Sequence, residues 1–186
     1  METFTQLKEL VDDPGYKERR RESLSKLDLE TIDAPIAETV CGLIQLPYCF
    51  TLQSCYGHFI YKGQKNPRST EPLPISSGVT TVEYRIAYIA LCIQKNDKGE
   101  ALFNDLAGIP AIDPAYIQFG CAEWFWKTDP NTYALQVEPE RHMNKDSVSL
   151  DYQEALHIEK VRNEFFSALK KLIQEKLGNN EYEEVP

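Results

Sequence analysis

The sequence predicts an α+β protein, and three observations carry that expectation. Strand formers dominate the middle of the chain, from Val79 to Ile93 and again at Tyr116 to Trp126 and Tyr133 to Val137. Helical periodicity flanks them, in Ile36 to Ile44 on one side and Ile158 to Leu172 on the other. No internal repeat or low-complexity tract interrupts this order. The expected architecture is a mixed sheet of roughly four to six strands containing a β-α-β unit, with helices at the N-terminus and a long C-terminal helix laid across it.

Each element has a local reason. Asp13-Pro14 places an N-cap acceptor before a proline at the first helical position, and Lys17 to Leu27 reads as a polar helix with Leu24 and Leu27 on one side. Asp33-Ala34-Pro35 repeats the start signal, and Ile36, Val40, Leu43 and Ile44 form a stripe that Pro47 stops. Tyr48 to Gln53 reads as a strand running into a tight turn at Ser54-Cys55-Tyr56-Gly57-His58. Lys62 to Gly78 is polar and broken by Pro67, Pro72 and Pro74, a long loop of the kind that forms a lid or a mobile surface excursion. From Ile86 onward both alternating sets of Val79 to Ile93 are apolar, which predicts one central strand covered on two faces.

Asn96 to Gly99 turns the chain into a short helix carrying Leu102, Phe103 and Leu106, which Gly108-Ile109-Pro110 ends. Tyr116 to Trp126 and Tyr133 to Val137 then read as strands joined by the Asp129-Pro130-Asn131 turn. Asp151 and Glu154 have capping-box spacing ahead of a stripe of Ile158, Val161, Phe165, Leu169 and Leu172, with Gly178 marking the exit. Residues 1–178 are expected to form one domain, followed by an acidic, flexible tail at 179–186.

With 186 residues, 42% of them hydrophobic, the chain can bury one core. Its start at Met1-Glu2-Thr3 lacks a basic and apolar leader, and no run approaches the ~20 apolar residues of a membrane span. A soluble, cytoplasmic protein with no membrane partner is expected. The five cysteines are odd in number and mostly set in apolar runs, which suits free buried thiols. A formal charge of −9 argues against a dedicated nucleic-acid binder. The basic run Lys17 to Arg21 reads as a solvated helix face.

Chemistry is expected where reactive side chains gather. Ser54, Cys55, Gly57 and His58 offer a hydroxyl, a thiol, exposed backbone amides and an imidazole within one turn. Cys55 and His58 have C-x-x-H spacing but no second pair of comparable quality; Cys121 with Glu123, or Glu138 with His142, would complete a site only if strand ends met, so no metal is expected. As a nucleophile, Cys55 needs a base, His58 or His142, and His58 has no evident orienting partner in the sequence. The plain alternative is a small buried thiol, a positive φ at Gly57 and a histidine bonded to a backbone carbonyl. Glu123, among Trp124, Phe125 and Trp126, is expected to pair with Arg85 or Arg141. Glu138, Arg141 and His142 crowd a strand exit of the sort that faces a pocket. The three segments are expected to share one cavity that binds a small polar ligand.

Glu22-Ser23-Leu24-Ser25-Lys26-Leu27, Ile32-Asp33 opening a helix, Leu46-Pro47-Tyr48 and Phe50 through His58 together resemble the wybutosine-synthesizing methyltransferase family, the third-acting enzyme of that tRNA-modification pathway. That family reaches a strand ending in Thr-Ser-Ser-Cys-Ser-Gly-Arg, against which this chain has Leu52-Gln53-Ser54-Cys55-Tyr56-Gly57-His58. The resemblance covers residues 17–60. It implies an α+β fold, S-adenosylmethionine as methyl donor and a modified guanosine of tRNA as acceptor, although the acidic charge disfavours tRNA. On this reading Ser54, Gly57 and His58 position the substrate and Arg141 pairs with a carboxylate. The rival is a noncatalytic ligand-binding or partner-binding module whose aromatic strand, Trp124 to Trp126, forms an exposed face.

Overall fold

The computed structural model describes residues 4–5, 7–75, 78–142 and 145–181. Its strands are β1 (Phe4–Thr5), β2 (Cys49–Cys55), β3 (His58–Ile60), β4 (Thr81–Arg85), β5 (Ala87–Ile93), β6 (Ile117–Ala122), β7 (Thr132–Val137) and β8 (Ser147–Asp151). Its α-helices are α1 (Tyr16–Lys26), α2 (Ala34–Gln45), α3 (Asp97–Gly108), α4 (Glu123–Thr128) and α5 (Tyr152–Glu181). The fold is α+β. Five strands form one sheet in the order β1-β6-β7-β5-β2, and three form a second in the order β3-β4-β8.

Every ladder is antiparallel, where a mixed sheet was expected. The β-α-β unit of β5, α3 and β6 is present in split form, because β7 inserts between its two parallel strands and bonds to both. The short α4 and the left-handed Asn131 (φ 64°) turn the chain back for that insertion. Asn131 is fully buried, and its side-chain amide bonds to both the N–H and the C=O of Val11, tying the N-terminal segment to the β7 turn.

The expected strand from Val79 to Ile93 is two strands in different sheets. β4 alternates exposed Thr81, Glu83 and Arg85 with buried Val82 and Tyr84, while β5 is buried nearly throughout, so the burial pattern changes where the chain changes sheet. At the bend the Ile86 N–H leaves the ladder for the Asp146 carbonyl. The buried Tyr84 hydroxyl closes the corner, accepting from the Ala87 N–H at 2.9 Å and donating to the Val137 carbonyl at 2.9 Å. β8 was not anticipated from the sequence; its Val148 and Leu150 are buried and alternate with more exposed residues against β4.

Tyr116 to Trp126 is likewise not one strand. It ends at Ala122, and Glu123 to Thr128 coils into α4, which buries Phe125 beside Ala90 and Leu52. Packing overrides the strand preference of the aromatic run. The last helix starts as predicted, with Asp151 accepting from the Glu154 N–H, but it passes Gly178 and runs to Glu181. The remainder of the expected tail, 182–186, lies outside the described residues.

α2 and α5 pack on each other, and α5 reaches across both sheets onto β4, β7 and β8. One core cluster joins Ile36 and Leu43 of α2, Ile89 and Leu91 of β5, and Ile158, Phe165 and Leu169 of α5. The opposite face of the larger sheet is covered by Tyr16 of α1, against Phe50 and Cys92, and by Phe125 of α4. β5 is therefore covered on two faces, as its composition required. The basic run of α1 is only partly a solvated face. Arg20 turns inward to the carbonyls of Ile44 and Cys49, serving the C-terminus of α2, and Arg19 pairs with Asp13 and Asp129. All five cysteines are free, and no helix among the described residues is long and apolar enough to cross a membrane.

Burial pushes the Cys49 and Cys92 thiols and the Tyr84 and Tyr133 phenols upward, Cys92 to about 12. The folded chain holds these protons to higher pH than the unfolded one, where thiols titrate near 8.5 and phenols near 10. Their contribution to stability is complete below about pH 8 and is lost as pH rises through the folded-state values. The thermal midpoint measured against pH should fall progressively above pH ~8.5, and a midpoint flat to pH ~11 would contradict the buried thiols and phenols.

Candidate functional site

The site is built at the seam between the two sheets, where the chain leaves β2 and enters β3. Gly57 makes that passage possible, with φ 87° and its backbone pressed against β5. A Cβ there would lie 2.9 Å from the Ala87 Cβ and 3.1 Å from both the Ala87 nitrogen and the Tyr84 ring. No larger residue fits without moving the corner. The turn then presents Cys55 and His58 toward the N-terminus of α2.

Asp33 waits there. By position it is the N-cap of α2, but its side chain makes no cap bond to that helix. Instead its Oδ2 accepts from the Tyr56 N–H at 2.8 Å and lies 3.4 Å from His58 Nε2. The other ring nitrogen, Nδ1, is 3.3 Å from the Ser69 carbonyl, which can only accept, so Nδ1 carries a proton. Cys55 Sγ accepts from the Gly57 N–H at 3.4 Å and faces the same carboxylate. One donor atom from each of Asp33, Cys55 and His58 lies within 4.8 Å of the others. Burial and, after it, the Asp33 charge raise the Cys55 thiol, against the Gly57 amide and Arg85, which lower it. The thiol is protonated at neutral pH and, as it stands, a poor nucleophile.

Behind the turn lies Arg162 of α5, which is 2% exposed. Its Nη1 donates to the Gly57 carbonyl at 3.0 Å, and its Cζ sits 4.0 Å from the Tyr56 ring centroid and 5.0 Å from that of Phe59. Glu159 lies 3.8 Å from Nη2 and also accepts from the Leu73 N–H, while the Tyr152 hydroxyl donates to the Pro74 carbonyl. The 62–78 loop, expected to be a lid or a mobile excursion, is thus bonded to the site at Ser69, Leu73 and Pro74; residues 76–77 lie outside the described residues.

The other expected site residues are held by contacts of their own elements. Ser54 shares a ladder position with Ile89, so it alternates away from Cys55. Glu123 is exposed in the first turn of α4 and pairs with Lys127 at 3.3 Å, not with Arg85 or Arg141, because helix geometry brings i and i+4 together. Arg141 forms an ion pair with Glu154 at the start of α5. His142 closes a single 3-10 turn through the Pro139 carbonyl. Glu138 is fully buried and accepts from Gln136 at 3.0 Å. A separate open pocket of about 500 Å3 lies between α1 and β2, bounded by Glu22, Ser23, Lys26, Asp28 and Thr51, and every lining residue except Asp129 falls within residues 17–60.

Sequence reasoning missed Asp33 and Arg162. Asp33 carried a complete explanation as a helix cap, which concealed its second role. Arg162 had a legible signal, a cation set i+4 from Ile158 and i−3 from Phe165 on the apolar stripe of α5.

No family model and no curated protein matches this chain. Among solved structures it is similar to the PH1069 protein from Pyrococcus horikoshii, with a TM-score of 0.53 and 9% identity over 86% of this chain and 96% of that one. A hypothetical protein from Aeropyrum pernix aligns with 77% of this chain and 96% of its own at 14% identity, with a TM-score of 0.37. The first likeness is one of fold.

Gly57→Ala should destabilise the protein by about 1–3 kcal/mol, from the left-handed backbone and from the close approach to Ala87. Urea denaturation measures this, and an unchanged midpoint would contradict the turn geometry.

Proposed function

We propose that the protein is a methyltransferase-like protein that binds S-adenosylmethionine and acts on a small polar acceptor. The observation that carries this reading is the closure of two separate parts of the methyltransferase-like segment on each other. Asp33, which opens α2, takes the Tyr56 N–H at 2.8 Å and so meets the Cys55 turn directly. Residues that are 22 positions or more apart in a family-like pattern gain a shared purpose when they build one group.

The pocket between α1 and β2 supports the cofactor. Its volume of about 500 Å3 falls within the roughly 300–1,000 Å3 usual for sites that take drug-sized molecules. Lys26 would take the carboxylate of the methionine moiety, Glu22 its ammonium, and Asp28 the ribose hydroxyls, with Leu27 and Leu52 against the adenine. Phe50 lies in that wall but is fully buried against Tyr16 and offers no stacking face. Bound there, the sulfonium supplies an electrophilic methyl group. The acceptor implied by the resemblance is a modified guanosine of tRNA. Against the overall charge of −9, the cations suited to steering a phosphate are Lys62, Lys65 and Arg68, exposed on the loop whose Ser69 is bonded to His58. Of the aromatic face in the rival binding-module reading, Phe125 is buried, Trp126 is half-buried and Trp124 is exposed.

Thermal denaturation with S-adenosylmethionine or its homocysteine product tests the proposal. At about 100 times the dissociation constant the midpoint should rise by roughly 5–10 °C. Lys26→Glu should abolish the rise while leaving the unliganded midpoint within a degree or two, since Lys26 is exposed. No rise with either compound at saturating concentration overturns the reading.

A further inference from the structure

Both nitrogens of the His58 ring face acceptors, the Ser69 carbonyl at 3.3 Å from Nδ1 and the Asp33 carboxylate at 3.4 Å from Nε2. A neutral imidazole has one N–H and cannot serve both. A cation held between Nε2 and the carboxylate would engage the lone pair of one and the charge of the other. The third member of the group points to the same occupant. Cys55 brings its sulfur to the same place, and the Asp33, Cys55 and His58 donor atoms all fall within 4.8 Å of one another.

We propose that Asp33, Cys55 and His58 form a binding site for a divalent transition-metal ion of the zinc type, with one coordination position open to an external ligand. The donor set of one imidazole, one thiolate and one carboxylate is a zinc set, and three protein ligands with a free fourth position is the arrangement of reactive rather than structural zinc. Zinc bonds of about 2.0–2.3 Å place tetrahedral donors about 3.3–3.7 Å apart, so the Asp33–His58 pair at 3.4 Å already has the required separation and the sulfur, within 4.8 Å of both, has to draw closer. The orienting contacts are present as well. The Ser69 carbonyl holds the imidazole so that Nε2 faces inward, and the Tyr56 N–H holds the carboxylate. Asp33 and Cys55 are each partly exposed, which leaves a route from solvent to the fourth position.

Binding balances simply. The S–H bond of Cys55 breaks, its proton passes to solvent, and lone pairs on Sγ, Nε2 and a carboxylate oxygen form three bonds to the ion. The cation reverses the condition of the thiol, which the apolar surroundings keep protonated, and makes it a thiolate. A water at the fourth position would be acidified, or an acceptor group bound there polarised. The inference rests on this geometry and not on S-adenosylmethionine binding.

The test uses the full chain stripped with a chelator and titrated with Co2+ or Zn2+ alone. One equivalent should bind, and the Co2+ form should show the near-ultraviolet charge-transfer absorption that only a thiolate ligand produces. Cys55→Ser should abolish that band and weaken binding at least tenfold. Asp33→Asn, which keeps an acceptor for Tyr56, should weaken binding by a similar factor, with circular dichroism confirming that each variant folds. Cys41→Ser, which removes the other partly exposed thiol, should leave both band and affinity unchanged. Failure of the folded wild-type chain to bind one equivalent, or a band that survives Cys55→Ser, overturns the proposal. Since no nucleoside is present, either result leaves the S-adenosylmethionine proposal to be decided by its own measurement.

Discussion

The buried guanidinium of Arg162 is the constraint on which the rest of this structure depends. A cation taken out of water needs partners on every side, and here they come from four places: the Gly57 carbonyl of the turn, the faces of Tyr56 and Phe59, the Asn163 amide, and Glu159 one helical turn away. Satisfying them fixes α5 against the passage from β2 to β3. Glu159 extends the arrangement to Leu73, and so the long connection before β4 is held down by the same group that holds the turn. An arginine at an apolar helix position is expensive in isolation, and here its bonds hold the turn in one geometry.

The turn lies where the two sheets meet, and the meeting is made of polar contacts as well as packing. Tyr84 stacks on Phe59 with centroids 4.9 Å apart, while its hydroxyl bridges Ala87 and Val137 at the point where the chain moves from one sheet to the other. Gly57 fits against that ring and against Ala87 because it has no side chain. Glycine, tyrosine and arginine are thus mutually required, and the Asp33–Cys55–His58 group inherits its geometry from them. A site set on rigid elements in this way is held more closely than one carried on a free loop.

Much of the architecture was legible. The α2 and α5 stripes, the cap at Asp151, the turn at Asn131 and the positive φ of Gly57 all follow from local rules that a side chain imposes on its own backbone. The errors share one cause. Val79 to Ile93 and Tyr116 to Trp126 are continuous in strand preference, yet the chain bends at Ile86 and coils after Ala122 because packing partners far away in sequence, Asp146 in one case and Ala90 with Leu52 in the other, make the interruption favourable. The candidate site was half legible for the same reason. Cys55, Gly57 and His58 announce themselves by proximity in the chain, whereas Glu123 is drawn to Lys127 by helix geometry and Arg141 to Glu154 at the start of α5.

What the sequence determined alone is the class of fold, the position of the tight turn and the identity of the thiol and imidazole it carries, since these depend on periodicity, on steric limits at single residues and on adjacency. What only the tertiary structure decided is which acid and which base stand beside them. Asp33 is 22 residues before Cys55 and Arg162 is 104 after His58. The interactions that select them act through space at 3–4 Å, and a one-dimensional pattern has no measure of that distance.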